Sequence, residues 1–533
     1  MSKSYNHQAK TSTFKTPNDK KKRGMIKSST ARWFTYALGF IGLYFFLAWT
    51  YGDVLWRAEQ ESYISTSTDT MYYLLSQPFG RLFWLFRWAL LIFKWPVVGG
   101  LVLALVYTLT ARLTDIAFCV SRKWEGLGFI VPVVQIGWML YRGFNLYYKN
   151  EPSLFIIIAM AALIVMGGIA LVTWFVGRKK RKAEAASSEN QRVRPYGVWV
   201  TLLLVIATSC TARYFNENVI FTAQLQKMQW AQEWDDMISL ARSARQPSRS
   251  VAAYHAIALE ETDQLLDGMY EIAYDFPKLR LDSIDGNEEY TLFTYDCNYH
   301  AGLLNASYRN CMDRVVMDGP RLYYFKRMAV CALLNDEKAL CRKYLALIGN
   351  MPFEGSFVEK YTAMLNNPKL IQEDAELAHV LSLKPQESCF EQQFTNPVFL
   401  GYNVGLLRGS DATLMTSIAA CLYGKDIQNA LPRIQVLIQK GMPLPKCVQE
   451  ALCIAALKNP GMLEQIPQVS KFVPSEISSF LMDAKPYIND RLKLRHELRK
   501  QWLGSYVYYY YTENNDPEQI RTTTNEGNKS SVN

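Results

Sequence analysis

The stretch WFTYALGFIGLYFFLAWTYG, Trp33–Gly52, decides the fold: it is twenty consecutive residues without a charge. Crossing the ~30 Å hydrocarbon core of a bilayer at about 1.5 Å per helical residue takes about 20 apolar residues. The stretch therefore reads as a transmembrane helix. Working outward, Ser153–Gly177 gives twenty-five uncharged residues and Pro195–Ala212 gives eighteen. Two weaker runs are Trp95–Ala111 (WPVVGGLVLALVYTLTA) and Gly126–Tyr141, which contains Pro132. Buried helices of a soluble core are the other source of such runs. Five of them inside 212 residues favour a transmembrane bundle of about five spans.

The polar sequence around these runs sets an orientation. A tail containing Lys20-Lys21-Lys22-Arg23 and Lys27 precedes the first span, which is too long for a signal-peptide core and reads as a signal anchor. With the N-terminus inside and five spans, the inner flanks hold sixteen Lys or Arg. They include the run Arg178, Lys179, Lys180, Arg181 and Lys182, which sets the topology most strongly; the outer flanks hold at most seven. Met71–Phe93 is apolar enough to be weighed as a sixth span, but Arg81 and Arg87 would each cost about 2.5–3.5 kcal/mol at a helix centre. It reads instead as an interfacial helix. Arg81, Arg87 and Lys94 would meet lipid phosphate, and Trp84, Trp88 and Trp95 would lie at headgroup level.

The chain has 533 residues and a formal net charge of +10, a balance that raises the question of nucleic acid. Residues 1–212 carry 25 Lys+Arg against 10 Asp+Glu, whereas residues 213–533 carry 33 against 38. The basic excess thus belongs to the membrane half and reports topology, so no nucleic-acid partner is expected.

Residues 213–511 show helical periodicity throughout. Leu322–Leu334 (LYYFKRMAVCALL) sets Leu322, Phe325, Ala329 and Ala332 on one face, and Asn335-Asp336 makes a turn. Glu337–Ile348 then continues as a second helix with Gly349 placed just past its end. Asp411 can cap a helix that stops at Gly424, Pro445 opens another, and Ser475 can cap EISSFLMDAK. Leu225–Ser243 and Val251–Ala273 add amphipathic helices upstream. Successive helix pairs with small residues at their contacts resemble an irregular tetratricopeptide-like α-solenoid. An irregular all-α domain without a solenoid fits the same pattern. The expected organisation is a basic cytoplasmic tail (1–32), a transmembrane region with the interfacial helix near 71–93 (33–212), an extracytoplasmic helical-repeat domain (213–511) and a disordered tail (512–533).

Chemistry-bearing motifs are sparse. Eight of the ten cysteines fall between Cys297 and Cys453. Cys331 and Cys341 flank the Asn335 turn and could bridge the hairpin; small buried residues at helix contacts are the alternative. His7, His255, His300, His379 and His496 lack metal-ligand spacing, so neither a metal nor a cofactor is implied. The run Tyr506–Tyr511 (YVYYYY) reads as packing for a terminal helix. The sequence contains no phosphate-binding, dinucleotide or nucleophile-elbow motif. What remains is the loop GDVLWRAEQESYISTSTDT, where Glu59 and Glu61 form an acidic E-x-E pair beside Asp53 and Asp69. Two carboxylates can hold a metal, or one can activate an acceptor hydroxyl. That position resembles the acidic motif of polytopic glycosyltransferases acting on lipid-linked sugars; a solvated loop has the same composition.

The whole layout resembles a bacterial family of uncharacterised membrane proteins that join a polytopic N-terminal region to a C-terminal helical-repeat domain. The stretches carrying the resemblance are Glu59-Gln60, Gln77-Pro78-Phe79-Gly80, Trp95-Pro96-Val97-Val98-Gly99-Gly100 and LNDEKALCRKYLALI. The resemblance implies a multi-pass protein of the bacterial inner membrane, with the N-terminus cytoplasmic and the helical domain periplasmic. The expected function is a scaffold that binds an envelope protein or a peptide. The alternative is a glycosyltransferase-like enzyme using Glu59 and Glu61.

Overall fold

The structure, a computed structural model, describes residues 26–143, 151–188, 192–193, 196–274, 292–384, 411–457, 460–466 and 468–513. Apart from a two-residue antiparallel ladder pairing Ile26 with Val193 and Lys27 with Arg192, every regular element among them is helical. The chain divides into two compact units.

The first unit comprises Met1–Trp49, Gly100–Tyr141 and Phe155–Ala212. Four helices are long and apolar enough to cross a membrane: Ser29–Thr50, Pro96–Ala117, Leu154–Val176 and Tyr196–Phe215. The fifth expected span, Gly126–Tyr141, is a shorter apolar helix, Leu127–Arg142, that begins with a 3-10 turn at Leu127–Phe129. Its start is held by Asp115, whose Oδ2 accepts the Gly126 N–H at 2.8 Å and whose Oδ1 accepts the Gly128 N–H at 2.9 Å. Tyr36 donates to the same carboxylate at 2.6 Å, and Arg32 pairs with Glu125 at 3.0 Å. These contacts tie the turn to neighbouring helices. Elsewhere, helices approach at small residues. A methyl on Gly39 would strike the Phe129 ring, and one on Gly100 would meet the Ala48 backbone.

The second unit comprises Thr50–Gly99, Arg142–Leu154 and Arg213–Asn533. It therefore includes segments 50–99 and 142–154, which the sequence had assigned to the membrane region. Its core is the helix Leu322–Leu334, in which every residue except Lys326 is buried. The helices before and after it, Leu304–Asp318 and Lys338–Gly349, pack directly on it. The expected turn is present: Asp336 takes φ 59, and the Glu337 N–H bonds the Ala332 carbonyl at 2.9 Å, closing the helix end. Gly349 is the last helical residue, with Asn350 as the cap. Ser475 likewise lies inside its helix, which starts at Phe472. The tyrosine run forms the helix Tyr506–Thr512, and Tyr509 packs against Tyr270, Tyr274 and Tyr423.

The expected interfacial helix is broken in two, Thr68–Ser76 and Gly80–Leu90. The break follows from Gln77-Pro78: a residue before proline is driven out of helical geometry, and Gln77 sits at ψ 155. Neither piece is long enough to span a bilayer.

Candidate functional site

Residues 57–65 run from the last turn of the helix Gly52–Gln60 into the loop after it, within the second unit, and all nine are buried. A loop of this composition is stable inside a protein only if its polar groups are paired. Most are. Tyr63 donates to the Leu347 carbonyl at 2.9 Å, the Thr66 N–H bonds the Asn350 carbonyl at 3.0 Å, and the Ser62 carbonyl accepts the Leu322 N–H at 3.1 Å.

Glu61 is the counter-ion of two buried arginines. Its Oε1 accepts from Arg57 one helical turn earlier, and its Oε2 accepts from Arg321 Nη1 at 2.8 Å. Arg57 also donates to the Tyr295 hydroxyl at 3.0 Å and lies 3.5 Å over the Tyr323 ring. Both oxygens of this carboxylate are thus engaged by buried arginines, and the three charges anchor residues 57–61 against the helix Leu322–Leu334.

Glu59 is different. Its Oε2 accepts the Gln60 amide at 2.6 Å, while its Oε1 is buried and has no hydrogen-bond partner among the described residues. Burial pushes its carboxyl up to about 7, with Lys326 opposing and Glu354 adding to the rise. Those neighbours form a cluster of their own. Lys94 and Lys326 each bind one oxygen of Glu354, at 2.7 and 2.8 Å, and Lys326 also reaches Gln60 Oε1 at 3.1 Å. Glu59 thus combines a buried oxygen that has no hydrogen-bond partner among the described residues with a carboxyl raised toward neutral pH.

A second charged group lies deeper. Asp296 Oδ1 pairs with Arg327 at 2.7 Å, and its Oδ2 accepts from Tyr254 at 2.8 Å and Tyr323 at 2.6 Å. Arg327 sits 3.9 Å over the Tyr299 ring. Beyond it, His300 Nδ1 meets Glu261 at 2.5 Å and His300 Nε2 meets Gln229 at 2.7 Å. Burial pushes Glu261 well up and His300 well down, each toward its neutral form. Sequence reading passed over Asp296, Arg321, Arg327 and Glu354. A signal for one existed: Arg327 follows Lys326 in an otherwise uncharged helix, so one of the two adjacent charges falls toward the core and requires a partner there.

The other sequence candidates are dispersed. Arg87 grips Glu151 with two hydrogen bonds of 2.8 and 2.6 Å and donates to the Tyr63 carbonyl at 3.2 Å. Burial would raise Glu151, but this grip holds it below the ordinary carboxylate range. Trp84 and Trp88 pack against the core around Leu322–Leu334. Of the residues expected at the lipid interface, only Arg81 and Trp95 are exposed. Cys331 and Cys341 are both buried with no disulfide between them, and Cys331 Sγ lies 3.6 Å from Ser307 Oγ. Arg178, Lys179, Lys180, Arg181 and Lys182 continue the helix Leu154–Ser188, and their side chains lie outside the described residues. No group of three or more metal-ligating residues occurs among the described residues.

The class these features define is an all-helical protein with four helices of membrane-crossing length and a second unit built on buried ion pairs. Residues 27–211 and 150–513 match the model of a family of unknown function, DUF6057, and the chain belongs to that family. No curated protein and no solved structure matches it.

Proposed function

We propose that the protein is a multi-pass inner-membrane protein whose second unit is displayed outside the cytoplasm as a helical-repeat scaffold for an envelope protein or peptide. One observation carries this reading: segments 50–99, 142–154 and 213–513, separated by apolar helices, build a single compact unit. Segments folded together lie on one face of a bilayer, so the helices between them cross in pairs. Leu127–Arg142 is then the return crossing. At about 1.5 Å per residue it falls a few ångströms short of the hydrocarbon core, a mismatch that local thinning absorbs. Consecutive helices packed on one another favour a solenoid, whose extended surface suits a peptide. Co-purification from membranes of the full chain, cross-linked through the second unit, is expected to yield one stoichiometric envelope partner. Recovery of none would defeat the scaffold reading.

Glu59 supports a second reading, a membrane enzyme acting on a lipid-linked substrate, through its unpartnered buried oxygen and raised carboxyl. Complementation of a deletion by Glu59→Gln separates the two. Full complementation leaves the scaffold; loss of function with normal membrane levels favours the enzyme.

A further inference from the structure

The helix Arg491–Trp502 (RLKLRHELRKQW) carries more charge than its packing uses. Leu494, Arg495 and Leu498 turn inward, while Leu492, Lys493, His496 and Lys500 face outward, Leu492 being 67% exposed. Its last turn is tied to a particular place. Arg499 Nη2 donates to the Arg245 carbonyl at 3.5 Å, and Arg245 Nη2 donates to the carbonyls of Arg213 and Tyr214 at 3.1 and 3.2 Å. Arg213 and Tyr214 are in the final turn of the apolar helix Tyr196–Phe215. Two steps of hydrogen bonding therefore join the basic helix to the point where the last apolar helix ends.

We propose that this face, formed by Leu492, Lys493, His496, Arg499 and Lys500, rests on anionic phospholipid headgroups beside the end of Tyr196–Phe215. The proposal rests on the reading that this helix crosses the bilayer. Charge complementarity selects the occupant. Among the described residues, neither Arg499 nor Lys500 has an ion pair, and Glu497 is the one carboxylate on the outward face. Tyr214 and Phe215 are exposed at the same helix end, and aromatic residues there suit the headgroup layer. Leu492, in the middle of the cations, matches the pattern of a surface-lying basic amphipathic helix. Each Lys or Arg within a Debye length of an anionic surface, about 10 Å at 0.1 M salt, strengthens attachment by about fivefold.

The test is hydrogen exchange of residues 488–502 in the full chain, inserted in nanodiscs of phosphatidylcholine alone or mixed with phosphatidylglycerol. Exchange is expected to slow by roughly tenfold in the anionic discs, and to recover at high salt or in Lys493→Gln/Arg499→Gln/Lys500→Gln. Arg499→Lys/Lys500→Arg is expected to keep the slowing. Equal exchange in both lipids, or protection that survives neutralisation, overturns the proposal and in the second case points to a protein partner. Failure of the chain to insert at all would instead overturn the membrane-spanning reading.

Discussion

Glu59 and Glu61 sit two residues apart, both buried, in unlike surroundings. Glu61 has two arginines within reach, whereas Glu59 Oε1 has no hydrogen-bond partner among the described residues. Removing one member of a buried ion group leaves the others uncompensated, so Glu61→Gln is expected to destabilise the second unit by about 3–5 kcal/mol. Thermal unfolding in detergent would read this, and an unchanged midpoint would mean the arginines are solvated. Glu59 carries the reverse sign. Its carboxyl is raised from 4.5 to about 7, so below 4.5 both the folded and unfolded chains hold the proton and nothing is lost. Between those two values the unfolded chain ionises first, and stability falls as pH rises. Above the upper value the penalty is complete, on the order of 3 kcal/mol. Glu59→Gln should therefore raise the unfolding midpoint at alkaline pH and leave it unchanged near pH 4. An equal effect at both ends would show that Glu59 does not titrate in this window. The contrast also makes Glu59→Gln the cleaner probe of chemistry, since loss of function in a Glu61 variant is expected from unfolding alone.

At the scale of elements, the helix Gly80–Leu90 has two apolar faces with different owners. Trp84 and Trp88, four residues apart, pack on the core around Leu322–Leu334, while Phe79, Leu82 and Leu85 are exposed. A helix apolar on both sides needs a cover on each. Trp88→Ala is expected to cost about 3 kcal/mol of stability in detergent, because it empties a packed site. Leu85→Ser should cost less than about 0.5 kcal/mol, as for an open surface position. Comparable losses would place Leu85 in a protein contact. The apolar composition of residues 71–93 made this region legible as helical, and Arg81 with Arg87 argued against a crossing. Which tryptophans face inward was not legible, since apolar residues occupy every side of the helix.

At the scale of the whole molecule, the second unit gathers three segments that are far apart along the chain. Ion pairs stitch them: Arg87 to Glu151, Lys94 to Glu354, and Lys227 to Asp53 at 2.6 Å. If these segments share one side of a bilayer, tags inserted at Gln77-Pro78 and after Glu513 should both be accessible from outside the cytoplasm. A tag at Arg122-Lys123 should be accessible only from the cytoplasm. Protease protection in oriented vesicles checks this, and opposite accessibility of the first two would overturn the five-crossing topology.

The helical class, the apolar helices and the hairpin turn at Asn335-Asp336 were determined by the sequence, because hydropathy and helical period are properties of neighbouring residues. The fifth helix is as short as its apolar run, but the meeting of Asp115, Tyr36, Arg32 and Glu125 at the turn before it is reported by no run length. The role of Glu61 is of the same kind: its partner Arg321 lies 260 residues away, and spacing along a chain carries no information about a pair so distant. An E-x-E pair in an exposed loop could serve catalysis. In the structure both carboxylates are buried, Glu61 held by Arg57 and Arg321 and Glu59 Oε1 without a hydrogen-bond partner among the described residues. Only the tertiary structure sets these two surroundings apart, because the free energy of a charge depends on what surrounds it.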